Sequence, residues 1–198
     1  MKLVLVDAGG ANLGSVRYAL ERLGVEARVS GDAAEIASAD RVILPGVGAA
    51  GPGMARLREL GLVEPLRRLE VPLLGICLGM QLLFESSEEG EVECLGLLPG
   101  RVRRMAPAPG LRVPHMGWNR LQRRGEAPLL DGIPDGAQVY FVHGYAVPVD
   151  GNCIASSAHG EDFAAVVRRG HVAGAQFHPE RSGAFGARLL ANFIRQGS

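Results

Sequence analysis

The chain has 198 residues, 47% of them hydrophobic and 21% charged, which is the balance of a globular chain rather than a disordered or fibrous one. Acidic and basic residues cancel at 21 each, so no net field draws the protein to nucleic acid or to an anionic membrane. Lys2 is the only lysine, which effectively excludes Schiff-base and Walker-type lysine chemistry.

At roughly 150 residues per domain, residues 1–198 read as a single domain. The chain opens with a short apolar strand at residues 2–6, too continuous for a half-exposed strand and suited to the middle of a parallel sheet. A helix follows, with Asn12 as its expected N-cap, Leu13, Val16, Leu20 and Leu23 on one face, and Gly24 as its stop. Further strands are expected at residues 25–29, at 41–44 ahead of the loop Pro45-Gly46-Val47-Gly48, and at 71–76. The last of these runs into a helix through Gln81, Leu82, Leu83 and Phe84. This is a βαβ series.

Beyond Pro99 the pattern changes to short pieces at residues 100–105, 138–143 and 164–168, separated by Pro and Gly. They read as antiparallel strands added to the parallel core. A final helix over 183–196 presents Phe185, Leu189, Leu190, Phe193 and Ile194 on one face. The expected fold class is therefore α/β, an open, mostly parallel sheet flanked by helices with additional antiparallel strands. Three cysteines without a CxxC argue against a disulfide framework or a thiolate zinc site and suit a reducing compartment. The N-terminal apolar run is too short for a signal-peptide core, and nowhere do 18 apolar residues run together, so a cytoplasmic protein is expected.

The chemistry concentrates in three places. Gly75-Ile76-Cys77-Leu78-Gly79 stands where a buried strand turns into a helix, the arrangement of a nucleophile elbow. Glycines there allow a sharp turn, the corner exposes the sulfur, and the helix N-terminus favours thiolate. The backbone N–H of Leu78 points toward a developing oxyanion. A buried core cysteine is the alternative. Of the five histidines, His178 in Gln176-Phe177-His178-Pro179-Glu180 is the candidate base, with Glu180 close enough to fix its tautomer. The Pro45–Gly48 segment lies at the C-terminal edge of a parallel strand, where open sheets bind ligands, or is simply a connection. Cys94, Cys153, His159 and His171 show no partner pattern and read as core or surface residues. No two histidines have HExxH spacing, which argues against a metal hydrolase.

GICLGMQLLF with a distant QFHPE resembles the class I, triad-type glutamine amidotransferases. LPGVGA, VPHMGWN and FVHGY make the chain similar, within that family, to the glutaminase subunits of imidazole glycerol phosphate synthase, from the first strand to the last helix. The resemblance implies a flavodoxin-like class I amidotransferase fold and no metal or cofactor. It also implies a Cys77 nucleophile that attacks the side-chain amide of L-glutamine, with His178 as acid and base and Glu180 as orienter. Backbone N–H groups of Leu78 and, after rotation of a peptide, Val47 would form the oxyanion hole. Gly48, Gln81, Glu89 and Gly144 would bind glutamine, with Gln81 and Glu89 on the helix after the elbow; Glu89 could equally be a solvated member of the acidic run 85–91. The family often has serine at Gly144 and asparagine at His171.

The implied partner is a (β/α)8-barrel cyclase subunit that receives ammonia, met by Asn12, Trp118 and Arg181, the last in place of a lysine frequent in the family. A core position for Trp118 is the competing possibility. Other readings are a different amidotransferase subunit, a cysteine peptidase or γ-glutamyl hydrolase, and a redox sensor on the same fold.

Overall fold

The computed structural model describes residues 1–9 and 12–195, so Gln196 of the expected last helix lies outside the described residues. In chain order the strands are β1 (Leu3–Val6), β2 (Ala27–Ser30), β3 (Arg41–Gly46), β4 (Leu73–Cys77), β5 (Ser86–Ser87), β6 (Val92–Glu93) and β7 (Arg101–Arg104). They continue with β8 (His115–Arg120), β9 (Gln122–Arg123), β10 (Gln138–His143), β11 (Tyr145–Ala146), β12 (Cys153–His159), β13 (Glu161–Arg169) and β14 (Val172–Ala175). The helices are α1 (Leu13–Glu21), α2 (Ala33–Ala37), α3 (Ala50–Glu59), α4 (Val63–Arg67), α5 (Leu78–Leu82) and α6 (Gly183–Arg195). No helix among the described residues is long and apolar enough to cross a membrane.

Eight strands form one sheet in the order β2-β1-β3-β4-β14-β13-β12-β9. The first five run parallel and the last three add antiparallel, as the change of pattern after Pro99 predicts. Residues alternate between two apolar layers: Leu3 and Leu5 of β1 face α1 and α6, while Val4 and Val6 face α2, α3 and α4. Burial on both faces is the physical reason these strands read as continuous apolar runs. Chain order reverses between β1 and β3, which opens a crevice at their C-terminal ends. Beside the main sheet stand a two-stranded ribbon, β8 with β10, and a small sheet in the order β11-β7-β5-β6.

Several boundaries differ from expectation. The second and fourth strands start two residues late, at Ala27 and Leu73. Pro45 and Gly46 belong to β3, where they pair with Ile76 and Cys77, so the free part of that loop begins at Val47. The expected helix through Phe84 stops at Leu82, because Leu83 and Phe84 turn back with short-range hydrogen bonds to Met80 and Gln81. Glu89 consequently lies in the turn between β5 and β6 and not on that helix. Asn12 occupies the N-cap position of α1 without capping it through its side chain, which is engaged elsewhere. Gly24 ends α1 as predicted, with φ +74° and hydrogen bonds from Gly24 and Val25 back to Glu21 and Leu20.

Candidate active site

The elbow owes its shape to crowding. Cys77 has φ +53°, ψ −111°, a strained conformation for a side-chain-bearing residue worth about 1–3 kcal/mol. The flanking glycines have a different function from the turning role expected of them, since neither has positive φ. They supply space: a Cβ on Gly79 would sit 1.8 Å from the Leu44 carbonyl oxygen, and one on Gly75 2.6 Å from the Gly79 oxygen. Gly46 is equally confined, its Cβ position lying 2.8 Å from the Gly79 nitrogen. The start of α5 is thereby pressed against the ends of β3 and β4, and Cys77 lines a cavity with the Val47–Gly48 loop and His178.

Across from the elbow, His178 follows β14, the parallel neighbour of β4, and begins a 3-10 turn over Pro179–Arg181. Its backbone is tied to β10 by His178 N donating to Tyr140 O at 2.9 Å, and Ser182 Oγ donates to His178 O at 2.6 Å. Nδ1 donates to Glu180 Oε1 at 2.8 Å, which leaves Nε2 as the ring nitrogen free to serve Cys77. Asn12 Nδ2 donates to the same Oε1 at 2.6 Å. The 3.4 Å approach of Asn12 Nδ2 to His178 Nδ1 is a contact between two donors and not a bond. Burial drives the His178 pKa down, but the hydrogen bonds and charges of Cys77 and Glu180 outweigh it and lift the ring to about 10. Glu180, its side chain fully buried, is held below the ordinary carboxylate range because His178 and Asn12 overcome the opposing effect of burial.

The other wall is neutral and polar. His143 Nδ1 donates to the Tyr145 carbonyl at 2.8 Å, so its Nε2 is left to accept from His115 Nδ1 at 3.0 Å. His115 Nε2 in turn accepts from Asn119 Nδ2 at 3.2 Å, whose other proton goes to Ala158 O at 2.8 Å. This chain of donors is complete only with both rings uncharged. Burial accordingly pushes His143 down to about 3 and His115 to about 4. The two histidines are cross-strand partners in the β8–β10 ribbon, and β-strand alternation puts both on its inner face.

A cavity of about 140 Å³ gathers most of the predicted site: Val47, Gly48, Cys77, Leu78, Gln81, Glu89, Gly144 and His178, together with Val142, His143 and Tyr145. Glu89 reaches it from the β5–β6 turn and accepts from Ala50 N at 2.9 Å, which ties that turn to the start of α3. At Gly144 a Cβ would come no closer than 3.8 Å to Val113 and Pro114, so a serine would fit there without clash. Trp118 and Met116 are 56% and 63% exposed on the outer face of the ribbon, which overturns the core alternative for Trp118. Trp118 meets the Tyr140 ring edge-on, and the Arg181 guanidinium lies 4.7 Å from the same ring. Cys94 and Cys153 are buried thiols that burial pushes up to about 11, consistent with core positions. His171 is exposed, while His159 stacks on His115 at 4.3 Å and bonds the Arg112 carbonyl.

Sequence reasoning did not single out His143, His115, Asn119 or Gln176. For the first three the signal was present in the alternation of VPHMGWN and FVHGY, which turns polar residues inward, whereas Gln176 stands unmarked two residues before His178 in QFHPE. That signal becomes informative only when the two segments are known to pair.

The glutamine amidotransferase class-I family model matches residues 4–196. The chain is 67% identical over 192 residues to the imidazole glycerol phosphate synthase subunit HisH of Xanthomonas euvesicatoria pv. vesicatoria, covering 97% of this chain and 96% of that protein. It is 64% identical over 193 residues to the protein of the same description in Xylella fastidiosa, covering 98% of this chain and 96% of the relative. A crystal structure of a glutamine amidotransferase superposes with a TM-score of 0.75 at 24% identity, covering 96% of each chain.

Proposed function

From the premise that the chain belongs to the class I glutamine amidotransferases, and within them to the HisH subunits of imidazole glycerol phosphate synthase, we propose how its residues divide the work. The protein is a glutaminase subunit that hydrolyses glutamine to glutamate and ammonia. Cys77 attacks the side-chain amide carbon. His178, held as imidazolium by Glu180 and the sulfur, gives its proton to the departing ammonia, and its neutral ring then activates the water that releases glutamate from the thioester. The single observation that carries this reading is the line Cys77, His178, Glu180, with the His178 tautomer fixed by the 2.8 Å bond to Oε1.

Leu78 N–H opens α5 and so has no partner within its helix; it supplies one oxyanion donor, and Val47 N–H the other. Both amide protons of Gln81 are committed, to Tyr145 O and Gln176 Oε1, so Gln81 offers the substrate its amide oxygen, an acceptor suited to an ammonium group. Backbone at Gly48 and Gly144 holds the carboxylate end, and Glu89 completes the cavity rim. One domain spanning residues 1–198 carries all of these groups.

The partner is a (β/α)8-barrel cyclase that takes ammonia directly and consumes a phosphoribosyl formimino aminoimidazole carboxamide ribonucleotide. The exposed Trp118 with Arg181 over Tyr140 suits an aromatic and arginine anchor, and Asn12 links that edge to Glu180. Three free thiols suit a cytoplasmic setting. The test is ammonia release from glutamine by the chain alone and with the cyclase and its ribonucleotide. A low rate alone and a rise of about 10² or more in the complex is expected, because completing an oxyanion hole is worth that much. A substantial rate alone that the cyclase leaves unchanged would remove the partner assignment.

A further inference from the structure

The pairing of β4 with β14 ends at Ile76 and Ala175, and the next residues along the chain are Cys77, which closes β4, and Gln176, which follows β14. The Gln176 side chain is wholly buried, enters the mechanism above only as an acceptor for Gln81, and brings its amide nitrogen to 3.8 Å from Cys77 Sγ. Its orientation follows from the chemistry of its neighbours. The Tyr145 carbonyl can only accept, so the Gln81 atom 2.9 Å from it is the amide nitrogen. The second proton on that nitrogen needs an acceptor and finds Gln176 Oε1 at 3.0 Å. What remains of Gln176 for the sulfur is N–H. A flipped Gln176 would set two amide donors against each other and an oxygen against the nucleophile.

The sulfur needs such a donor once it ionises. As a thiol it donates to Val142 O at 3.7 Å, and the same carbonyl opposes negative charge when that proton is gone. His178 supplies one favourable contact. We propose that Gln176 supplies a second, donating from Nε2 to the ionised sulfur of Cys77, and that Gln81, anchored on the Tyr145 carbonyl, aims it. The role rests on Cys77 being the nucleophile.

The test reads the sulfur without substrate. Alkylation of the full-length chain by iodoacetamide is followed against pH, with the modified residue located by peptide mass mapping; buried Cys94 and Cys153 serve as slow internal controls. Gln176→Met keeps length and apolar bulk while removing the donor. Its Cys77 midpoint is expected to rise by about one pH unit relative to the unaltered chain, with kcat for glutamine falling more than KM changes. Gln81→Met, which frees Gln176 to rotate, is expected to move the midpoint the same way by less. A purely structural role would lower thermal stability and leave the midpoint in place. An unmoved midpoint in Gln176→Met overturns the proposal; if that variant does not fold, the midpoint of Gln81→Met decides in the same sense. If Cys77 in the unaltered chain reacts no faster than Cys94 and Cys153, the nucleophile reading falls and the role of Gln176 with it.

Discussion

His178 and His143 line one cavity and are each 6% exposed, yet the first is raised to about 10 and the second lowered to about 3. Burial acts on both in the same direction, against charge. The difference lies in what each ring nitrogen meets. His178 faces a carboxylate and an ionisable sulfur, whereas His143 faces a backbone carbonyl and another neutral imidazole. One wall of the pocket is built to carry charge and the other to stay uncharged, so the cavity lies between an ionisable pair and a fixed set of dipoles.

The sharpest way to break this comparison is at the sulfur. Cys77→Ser should reduce ammonia release by at least about 10⁴-fold while the variant still binds the cyclase in a titration, since the exposed ribbon is untouched. Retained ammonia release would sink the nucleophile assignment. Next in size, His178→Ala should lose about 10³-fold in kcat and Glu180→Gln about 10²-fold, because the first removes the base and the second only its orienter. Equal losses would count against those roles. In Glu180→Gln the His178 ring, followed by NMR, should also titrate lower than in the unaltered chain. The raised pKa means that the stability contributed by the His178 charge is fully present below pH about 6.5, while Glu180 stays ionised, and is lost as pH climbs through about 10. Glu180→Gln should therefore flatten the alkaline side of the Tm profile.

The neutral wall makes the opposite prediction, and a smaller one. His143 is depressed, so its contribution is present above pH about 6.5 and disappears as pH falls toward about 3. His143→Gln should shrink the drop in Tm between pH 7 and pH 4 and leave the alkaline side unchanged. An identical acid limb in the variant would show that His143 does not titrate on unfolding as described.

The charged wall was legible in the sequence because its members are marked locally: glycines around Cys77, and His178 two residues from Glu180. The parallel core was legible because buried strands read as apolar runs. The neutral wall was not, since His115 and His143 are 28 positions apart and meet only through ribbon pairing. Glu89 was misplaced because α5 ends after five residues, where Leu83 and Phe84 fold back; apolar spacing alone cannot show that stop. Asn12 has the residue type of a helix cap, but Glu180, 168 positions later, takes its side chain. Helices α2, α3 and α4 carry glycine, proline and short runs that leave little periodic signal.

The missing Cβ atoms at Gly46 and Gly79 have a mechanical consequence. With β3 clamped to the elbow as far as Gly46, no swing of the preceding strand can carry Val47 into or out of the pocket without separating backbones already at closest approach. For Val47 N–H to act as the oxyanion donor proposed above, any reorientation would have to come from the peptides around Val47 rather than from the strand. Gly48, exposed, at φ +95° and with open space at its Cβ position, is the neighbour with the backbone freedom such a turn would need while the sheet beneath it stays still.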